Sequence, residues 1–391
     1  MSNQTSVSTF LLWGFSSFPD LQVLLFVVIL FSHIIILFAN VSIMVAIKLS
    51  HNLHTPMYFF LCGLSFSETC STMVIIPREL VDLLSDSKTI SLPECATQMF
   101  FFFAFSGNNC FTMAAMSYDR YTAIHSPLHY TTRMTAKICC QLMVASWMVG
   151  FLVSLCITMT VFDLSFCGSN IIQHFFCDIA PVVSLACDSN SYHEMIIFLL
   201  SAFVLVGTFI LIMISYVFIG SVVMKMSSAK GRYKAFSTCS SHLIVVSIHY
   251  GFAGSAYLKP KDSSSFREDM LMAVTYTVVT PLLNPIVYSL RNREMQTALK
   301  KVCARGSPRN RRPYRDRAVA WPLEEEESKG IHRKEKKARS LKYLYEIALV
   351  AVETLSQGAP NEFSILEHFS PRFGLSMGTH AGSWPKRAFN S

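Results

Sequence analysis

The sequence predicts an all-α membrane protein: a bundle of seven transmembrane helices, a short cytoplasmic amphipathic helix and a disordered C-terminal tail. The composition, seven apolar stretches and an uneven distribution of Lys and Arg between the loops predict this fold class. Of the 391 residues, 52% are hydrophobic and 15% are charged, whereas soluble domains carry about 25% charged residues. Most of the net charge of +8 falls in the tail, so it does not indicate binding to nucleic acid.

Seven apolar stretches follow one another in the first three quarters of the chain. A helix needs about 20 apolar residues to cross the hydrocarbon core of a bilayer. Polar residues interrupt the second, third and sixth stretches, and a helix of a soluble bundle is the alternative for any single one. Seven in series favour a membrane protein. The stretches are residues 24–47, 57–76, 99–117, 138–161, 195–223, 243–258 and 270–290.

The loops between these stretches differ in their content of basic residues. Residues 1–22 and the long loop 162–194 contain no Lys or Arg, whereas the loops on the other side contain several. Since Lys and Arg concentrate in cytoplasmic loops, we expect an extracellular N-terminus and a cytoplasmic C-terminus in the cell membrane. The loop 259–267, with three basic residues, breaks the trend. Asn3, in an Asn-x-Thr glycosylation tripeptide, would face outside.

The positions of the cysteines agree with this orientation. Four of them fall on the expected outer side, in the oxidising compartment where disulfides form. Four cysteines allow three pairings, and the sequence pattern alone leaves the choice open. The remaining cysteines do not have the spacing of a zinc site, so we expect no bound metal there. The four outer cysteines are Cys95, Cys167, Cys177 and Cys187.

Four motifs occur in order at the ends of the second, third, sixth and seventh stretches. Together they resemble the vertebrate olfactory receptors, a branch of the rhodopsin-like (class A) G-protein-coupled receptors, over residues 1 to about 303. The resemblance implies an odorant receptor that binds a small, neutral or weakly polar volatile ligand and activates a stimulatory G protein, raising cyclic AMP. The motifs are LHTPMYFFLCGLSFSETC at 53–70, MAAMSYDRYTAIHSPLHY at 113–130, KAFSTCSSHL at 234–243 and PLLNPIVYSLRN at 281–292.

The resemblance also assigns a signalling role to residues near the inner end of the bundle. Charges near a membrane are costly unless they are paired, so we expect Asp119 and Arg120 to neutralise one another; a solvated pair is the alternative. Pro285 removes a backbone hydrogen bond and kinks the seventh helix, so that Tyr288 could swing toward Tyr216; a kink without a switch is the alternative. The implied set is Asp119, Arg120, Tyr121, Tyr216, Lys234, His242, Asn284, Pro285 and Tyr288.

Glu68 is an acid within an apolar stretch, and intramembrane acids are functional candidates. Relatives commonly carry a second acid in the third helix, where this chain has Asn109. Sodium could bind at Glu68, but with one acid a protonated carboxyl is an equal alternative, and no other cofactor is implied. The expected polar core comprises Glu68, Asn109, Ser106, Asn284 and Asn40, with Asn40 hydrogen-bonded near Glu68.

The family pattern implies two disulfides, Cys95–Cys177 and Cys167–Cys187, which would hold the long loop over the bundle as a lid. Beneath this lid it implies an aromatic and aliphatic ligand site with a few hydroxyl groups and no charge. Tyr250 is also a candidate switch beneath the ligand. For each residue of the set, the alternative to ligand binding is a role in core packing. The implied ligand residues are Phe102, Phe103, Ser106, Gly107, Ile179, Leu200, Val204, Tyr250, Phe252, Ala253, Tyr257 and Thr277.

Charged blocks distinguish the tail from the rest of the chain. We divide the sequence into an extracellular N-terminus (1–22), a receptor domain with its cytoplasmic helix (23–303) and a basic, mostly disordered tail (304–391). Basic stretches of the tail could bind anionic membrane lipid; a segment with no selected role is an equal alternative. A receptor for amines or peptides, a transporter and an enzyme fit less well, because amine-binding acids, charge relays and nucleophile motifs are lacking in the sequence.

Overall fold

Seven long helices and an eighth, shorter one run through the residues that the structure describes. This computed structural model describes residues 7–17, 19–167, 169–187, 191–257 and 266–306. All of the described residues belong to one compact unit, Met1–Pro313. The helices are α1 (Gln22–Leu49), α2 (Pro56–Leu84), α3 (Leu92–His125), α4 (Ala136–Phe162), α5 (Ser191–Lys225), α6 (Ala229–Tyr257), α7 (Phe266–Val274, Thr275–Val279 and Thr280–Arg291) and α8 (Arg293–Gly306).

The seven predicted stretches lie in α1 to α7, apart from residue 258, which is outside the described residues. Most of these helices extend further than the hydropathy indicates. By length and composition, five described helical segments are able to cross a membrane. Helices α3 and α6 are not among them, because each contains many polar residues. The five are Pro19–Leu49, Pro56–Leu84, Ala136–Phe162, Ser191–Lys225 and Met270–Tyr288.

Local sequence signals fix several of the helix ends. Ser91 caps α3 in a capping box, in which its hydroxyl accepts from the Glu94 N–H and the Glu94 carboxylate accepts from the Ser91 N–H. Asn292 caps α8 by accepting from the backbone N–H groups of Glu294 and Met295, both at 3.0 Å. Pro56 stands at the first position of α2, where its missing N–H has no cost.

Two of the helices contain a π-helical turn. These turns are Phe203–Gly207 within α5 and Thr275–Val279 within α7. A π turn inserts an extra residue into an α-helix and rotates the side chains that follow it, and such turns are common at functional sites. Both face the interior of the bundle at the cavities described below.

Helix α3 lies at the centre of the bundle, in contact with α2, α4, α5 and α6. Many of its polar side chains are buried rather than directed outward, including Gln98, Asn108, Thr112 and Thr122. The outer surface is apolar instead: Phe31 and Phe38 of α1, for example, are 66% and 71% exposed. This arrangement, with polar groups inside and apolar groups outside, is that of a protein in a lipid solvent.

A small sheet covers one end of the bundle, which we call the lid end. Strand β1 (Thr9–Leu12) lies between β2 (Thr89–Ser91) and β3 (Ile171–Ile172), antiparallel to the first and parallel to the second. Phe10 and Leu12 of β1 are buried. Strand β1 was not predicted from the sequence, and it ties the N-terminal segment to two separate loops.

The long loop before α5 is fastened to the bundle beside this sheet. Disulfides join Cys95 to Cys177 and Cys167 to Cys187, the pairs that the resemblance implies. The Gln98 side chain accepts from the Cys177 N–H at 3.0 Å and donates to the Val74 carbonyl at 3.3 Å. The loop is therefore attached to both α2 and α3.

Helix α8 reaches Gly306, three residues beyond the predicted end of the receptor domain. Met295 and Ala298 are buried on one side of α8, while Lys300 and Lys301 are exposed on the other, as an amphipathic helix requires. The predicted tail after residue 306, the glycosylation candidate Asn3 and most of the loop 259–267 lie outside the described residues.

Candidate functional site

Two buried cavities lie side by side between the helices, and they share Ser106 of α3 and Tyr276 of α7. We call them the apolar cavity and the polar cavity after their linings. The π turns border them: Val204 and Leu205 of the α5 turn line the apolar cavity, Thr277 of the α7 turn lines the polar one, and Tyr276 of the α7 turn lines both.

The residues that line the apolar cavity come from α3, α4, α5, α6 and α7. Five of the predicted ligand residues line it: Phe103, Ser106, Gly107, Val204 and Tyr257. No charged side chain contributes to its described lining. The other lining residues are Cys110, Gly150, Val153, Ser154, Ile157, Ser201, Leu205 and Tyr276.

One wall of the apolar cavity comes from α4, which the sequence analysis did not assign to the ligand site. Gly150 lets α4 approach α3 closely: a Cβ atom there would lie 2.9 Å from the Asn108 backbone nitrogen and 3.0 Å from the Ala104 carbonyl oxygen. The Ser154 hydroxyl donates to the Phe100 carbonyl at 2.6 Å. A glycine and a serine within an apolar stretch are the sequence signal that could have indicated this contact.

Five of the predicted ligand residues do not line either cavity. Tyr250 shares a 2.7 Å hydrogen bond with the Thr208 hydroxyl of α5, so the structure joins it to the helix packing rather than to the cavity wall. Its place beneath the ligand stays a prediction. Ile179 and Ala253 are buried in the core, and Leu200 and Phe252 pack against it.

The polar cavity surrounds the acid of α2. Glu68 is 3% exposed and accepts a hydrogen bond from the Asn284 amide of α7. Ser106 and Asn109 line the same cavity, so with Asn284 four members of the predicted polar core meet here. Phe102 and Thr277, predicted as ligand residues, border this cavity instead of the apolar one. The remaining lining residues are Ser71, Thr72, Ile75, His249, Tyr276, Thr280 and Pro281.

The oxygen atoms that line the polar cavity suit a hard cation only in part. Carboxylate, hydroxyl and amide oxygens suit sodium or another hard ion, but Glu68 is the sole acidic residue of the described lining. Asn40 does not belong to this group, because its amide donates to the Ile36 carbonyl of its own helix at 3.1 Å. The expectation that Asn40 bonds near Glu68 is therefore wrong.

Cys110 and His249 form a contact between α3 and α6 that the sequence analysis did not predict. The Cys110 sulfur lies 3.3 Å from the His249 Nε2 atom. Cys110 lines the apolar cavity, while His249 lines the polar one. The pair thus stands at the boundary between the two cavities.

At the end of the bundle opposite the lid, Asp119 does not pair with Arg120. The Asp119 Oδ1 atom instead accepts from the Tyr130 hydroxyl at 2.7 Å, and the described residues include no ion pair between Asp119 and Arg120. Consecutive residues of a helix point in different directions and do not face one another, which explains the wrong prediction. Burial, followed by the charge of Asp119, raises the pKa of Tyr130 above its usual range, so its hydroxyl keeps its proton.

Other members of the predicted signalling set connect α5, α6 and α7 near this end. The Tyr216 hydroxyl of α5 is 2.7 Å from the His242 Nδ1 atom of α6. Tyr288 is buried, and its hydroxyl makes no hydrogen bond. Pro285 lies within α7, and Tyr121 packs against Phe218 of α5 with 5.8 Å between ring centroids. The Lys234 side chain lies outside the described residues.

Tyr58 forms a further polar link that was not predicted. Its hydroxyl donates to the Glu294 carboxylate at 3.0 Å and accepts from the Asn292 amide at 2.7 Å. Residues from the first motif and from the end of the fourth therefore meet where α2 begins and α8 begins. The PMYFF sequence, which begins α2, gives no signal for these distant partners of Tyr58.

The chain is similar to proteins of one family over most of its length. A family model described as "Olfactory receptor" matches residues 29–305. Human Olfactory receptor 10Z1 is 53% identical over 299 residues, which cover 76% of this chain and 96% of that protein. Human Olfactory receptor 10T2 is 54% identical over 301 residues, with 77% and 96% covered. Mouse Olfactory receptor 10J5 is 48% identical over 306 residues, with 78% and 99% covered.

A solved structure has the same helix arrangement. The crystal structure of squid rhodopsin matches with a TM-score of 0.59, covering 73% of this chain and 86% of that one. Its sequence is 17% identical, so the likeness concerns the fold and not the ligand.

Proposed function

The chain belongs to the olfactory receptor family of rhodopsin-like receptors, and on that premise we propose that a small, neutral or weakly polar odorant binds in the apolar cavity. The protein is accordingly a multi-pass membrane receptor for odorants and not an enzyme. We further propose that the bound odorant activates a stimulatory, olfactory-type G protein and so raises cyclic AMP.

The lining of the apolar cavity supports the proposed ligand class, and this observation carries the proposal. Small-molecule sites are mostly apolar, with a few polar groups that orient the ligand. Here aliphatic and aromatic side chains predominate, and Ser106, Ser154, Ser201, Tyr257 and Tyr276 supply hydroxyl groups. A charged ligand would be buried without a partner in this lining, which is costly. An odorant with one oxygen function has no such cost.

Several contacts support coupling to a G protein at the end opposite the lid. Tyr216 and His242 bond α5 to α6 there, and Asp119 is bonded to Tyr130. We propose that ligand binding weakens these contacts, so that the end of α6 moves outward and Arg120 becomes available to the G protein. Lys234 at the start of α6 would then face that protein.

The proposed orientation places the lid end outside the cell and α8 inside. It rests on the basic residues of the loops and on the disulfides of the lid, which form in an oxidising compartment. The exposed Lys300 and Lys301 of α8 would lie near anionic lipid of the inner leaflet. Epitope tags at both ends of the chain, stained in living cells before and after permeabilisation, test this: two tags on the same face would contradict it.

A cyclic-AMP reporter assay tests the function itself. Cells expressing the chain, with or without residues 307–391, are exposed to a panel of neutral odorants, with matched amines and carboxylates as controls. We expect at least one neutral odorant to raise cyclic AMP in a dose-dependent way. Coupling to the stimulatory class is contradicted if a ligand-induced signal survives when that G protein is deleted from the cells.

A further inference from the structure

We propose that Cys110, assisted by His249, captures α,β-unsaturated aldehydes and ketones covalently within the ligand site. This inference rests on the proposed function, because it concerns a chemical class of odorant in the same apolar cavity. The bond would be formed by conjugate addition of the thiol to the carbon–carbon double bond.

The first support for this proposal is the position of the Cys110 thiol. Cys110 is 1% exposed, and it lines the apolar cavity. Aliphatic side chains such as Val204 and Ile157 line the same space and would hold the hydrocarbon part of an odorant. The double bond of a bound odorant could therefore lie next to a thiol.

His249 supplies the second requirement, a base within reach of the thiol. A cysteine becomes an effective nucleophile when an adjacent base accepts its proton. The His249 Nε2 atom is 3.3 Å from the Cys110 sulfur. The ring is held in place by Tyr250 and Tyr276, whose centroids are 5.3 Å and 5.4 Å from its own.

The reaction is an addition: no leaving group departs, and no oxidant or reductant is needed. The Sγ–H proton passes to His249 Nε2 while the sulfur electron pair forms a bond to the β-carbon of the odorant. The electron pair of the double bond moves toward the carbonyl group as an enolate, and the proton then passes from Nε2 to the α-carbon. The hydroxyl groups of Ser106 and Tyr276 line the same cavity and could donate to the enolate oxygen.

Mass spectrometry of the purified full-length receptor tests this inference. The probe is (E)-2-hexenal, and the control is hexanal, which has no double bond. Treatment with borohydride reduces the aldehyde of any adduct and so prevents the reverse reaction before digestion. Cys140 and Cys156, which are exposed on the outside of the bundle, serve as internal reference thiols for reactivity without a base or a cavity.

We expect Cys110 to be modified by hexenal about ten-fold faster than the two reference thiols, and no cysteine to be modified by hexanal. His249→Gln should slow the reaction of Cys110 by roughly 100-fold, the lower range for general-base catalysis, and leave Cys140 and Cys156 unchanged. Equal rates at Cys110 and Cys156, or an unchanged rate in His249→Gln with both disulfides intact, would overturn the inference.

A reporter assay separates this inference from the proposed function. Cys110→Ser should lose the prolonged response to hexenal after washout, whereas Cys156→Ser, a change on the outside of the bundle, should keep it. If the wild-type receptor responds to saturated odorants and hexenal leaves no adduct on Cys110, covalent capture is wrong and odorant reception stands. A receptor that responds to no odorant, saturated or unsaturated, would count against the proposed function instead.

Discussion

The polar and apolar cavities share two residues yet have opposite linings. Glu68, with hydroxyl and amide groups around it, borders the polar cavity, whereas hydrocarbon and aromatic side chains dominate the apolar one. Polar residues within apolar helices stand out in a sequence, because each must find a partner away from lipid. The aliphatic residues of the apolar cavity have the same types as those that face lipid, so the sequence does not distinguish them.

The largest effect should come from filling the apolar cavity. We expect Ile157→Trp to lower odorant potency by at least about 100-fold, or roughly 2.7 kcal/mol, because the indole would occupy the ligand's space. Met159→Trp is the matched control, since Met159 of the same helix is 64% exposed on the outside. Concentration–response curves at equal surface expression provide the measurement, and equal potency of the two variants would mean that odorants bind elsewhere.

A second substitution tests how the wall of this cavity is built. Gly150→Ala should destabilise the receptor by about 1–3 kcal/mol, the usual cost of overpacking, because the added Cβ meets backbone atoms of α3 at 2.9 Å and 3.0 Å. Gly220→Ala is the control, since no atom lies within 4 Å of a Cβ built there. Thermal unfolding of the purified proteins measures the difference. Identical midpoints would show that α4 does not approach α3 this closely.

The polar cavity is tested by changes at Glu68. We expect Glu68→Leu to cost about 1–3 kcal/mol, because the buried Asn284 amide loses its acceptor, and Glu68→Gln, which keeps an acceptor, to cost less. Thermal unfolding is measured in sodium chloride and in choline chloride. Stabilisation of the wild type by sodium that Glu68→Gln abolishes would identify a bound ion, and equal unfolding in both salts would exclude one. Equal losses in the two variants would contradict the hydrogen-bonding role.

The smallest effect should follow the loss of a single hydroxyl from the apolar cavity. Tyr257→Phe should weaken oxygenated agonists by about three- to ten-fold, or roughly 1 kcal/mol for one hydrogen bond, and leave hydrocarbon agonists unchanged. The ring of Tyr257 packs against Phe103 at 5.7 Å between centroids, and phenylalanine keeps this contact. A uniform shift across all agonists in the reporter assay would exclude a polar role for the hydroxyl.

Most of the fold followed from patterns that act locally along the chain. Long apolar stretches predicted all seven helices, although α3 and α6 carry so many polar residues that their apolar character alone does not identify them as membrane spans. The N-terminal strand β1 escaped prediction because its partners, β2 and β3, are about 80 and 160 residues away along the chain. Strand pairing over such distances has no local signal.

The residues of the candidate sites were easier to predict than their partners, because a side chain's partner depends on how the chain folds. Glu68 and Asn284 were recognisable as polar residues in apolar helices, and the structure brings them into contact. Asp119 was recognisable as well, but not its partner Tyr130, which lies on the loop that follows. Because Asp119 and Arg120 are adjacent in sequence, they were expected to pair. The helix rotates by about 100° per residue, however, so their side chains point in different directions.

The sequence by itself determined that this chain forms a helical membrane receptor, because the length of an apolar stretch and a family motif are both properties of consecutive residues. Only the tertiary structure decided which face of each helix is turned inward, and therefore that Gly150 and Ile157 line a cavity while Met159 lies outside. It also decided that Cys110 meets His249, two residues separated by 139 positions. Such meetings depend on how helices rotate and pack against one another, and no single stretch of sequence specifies that.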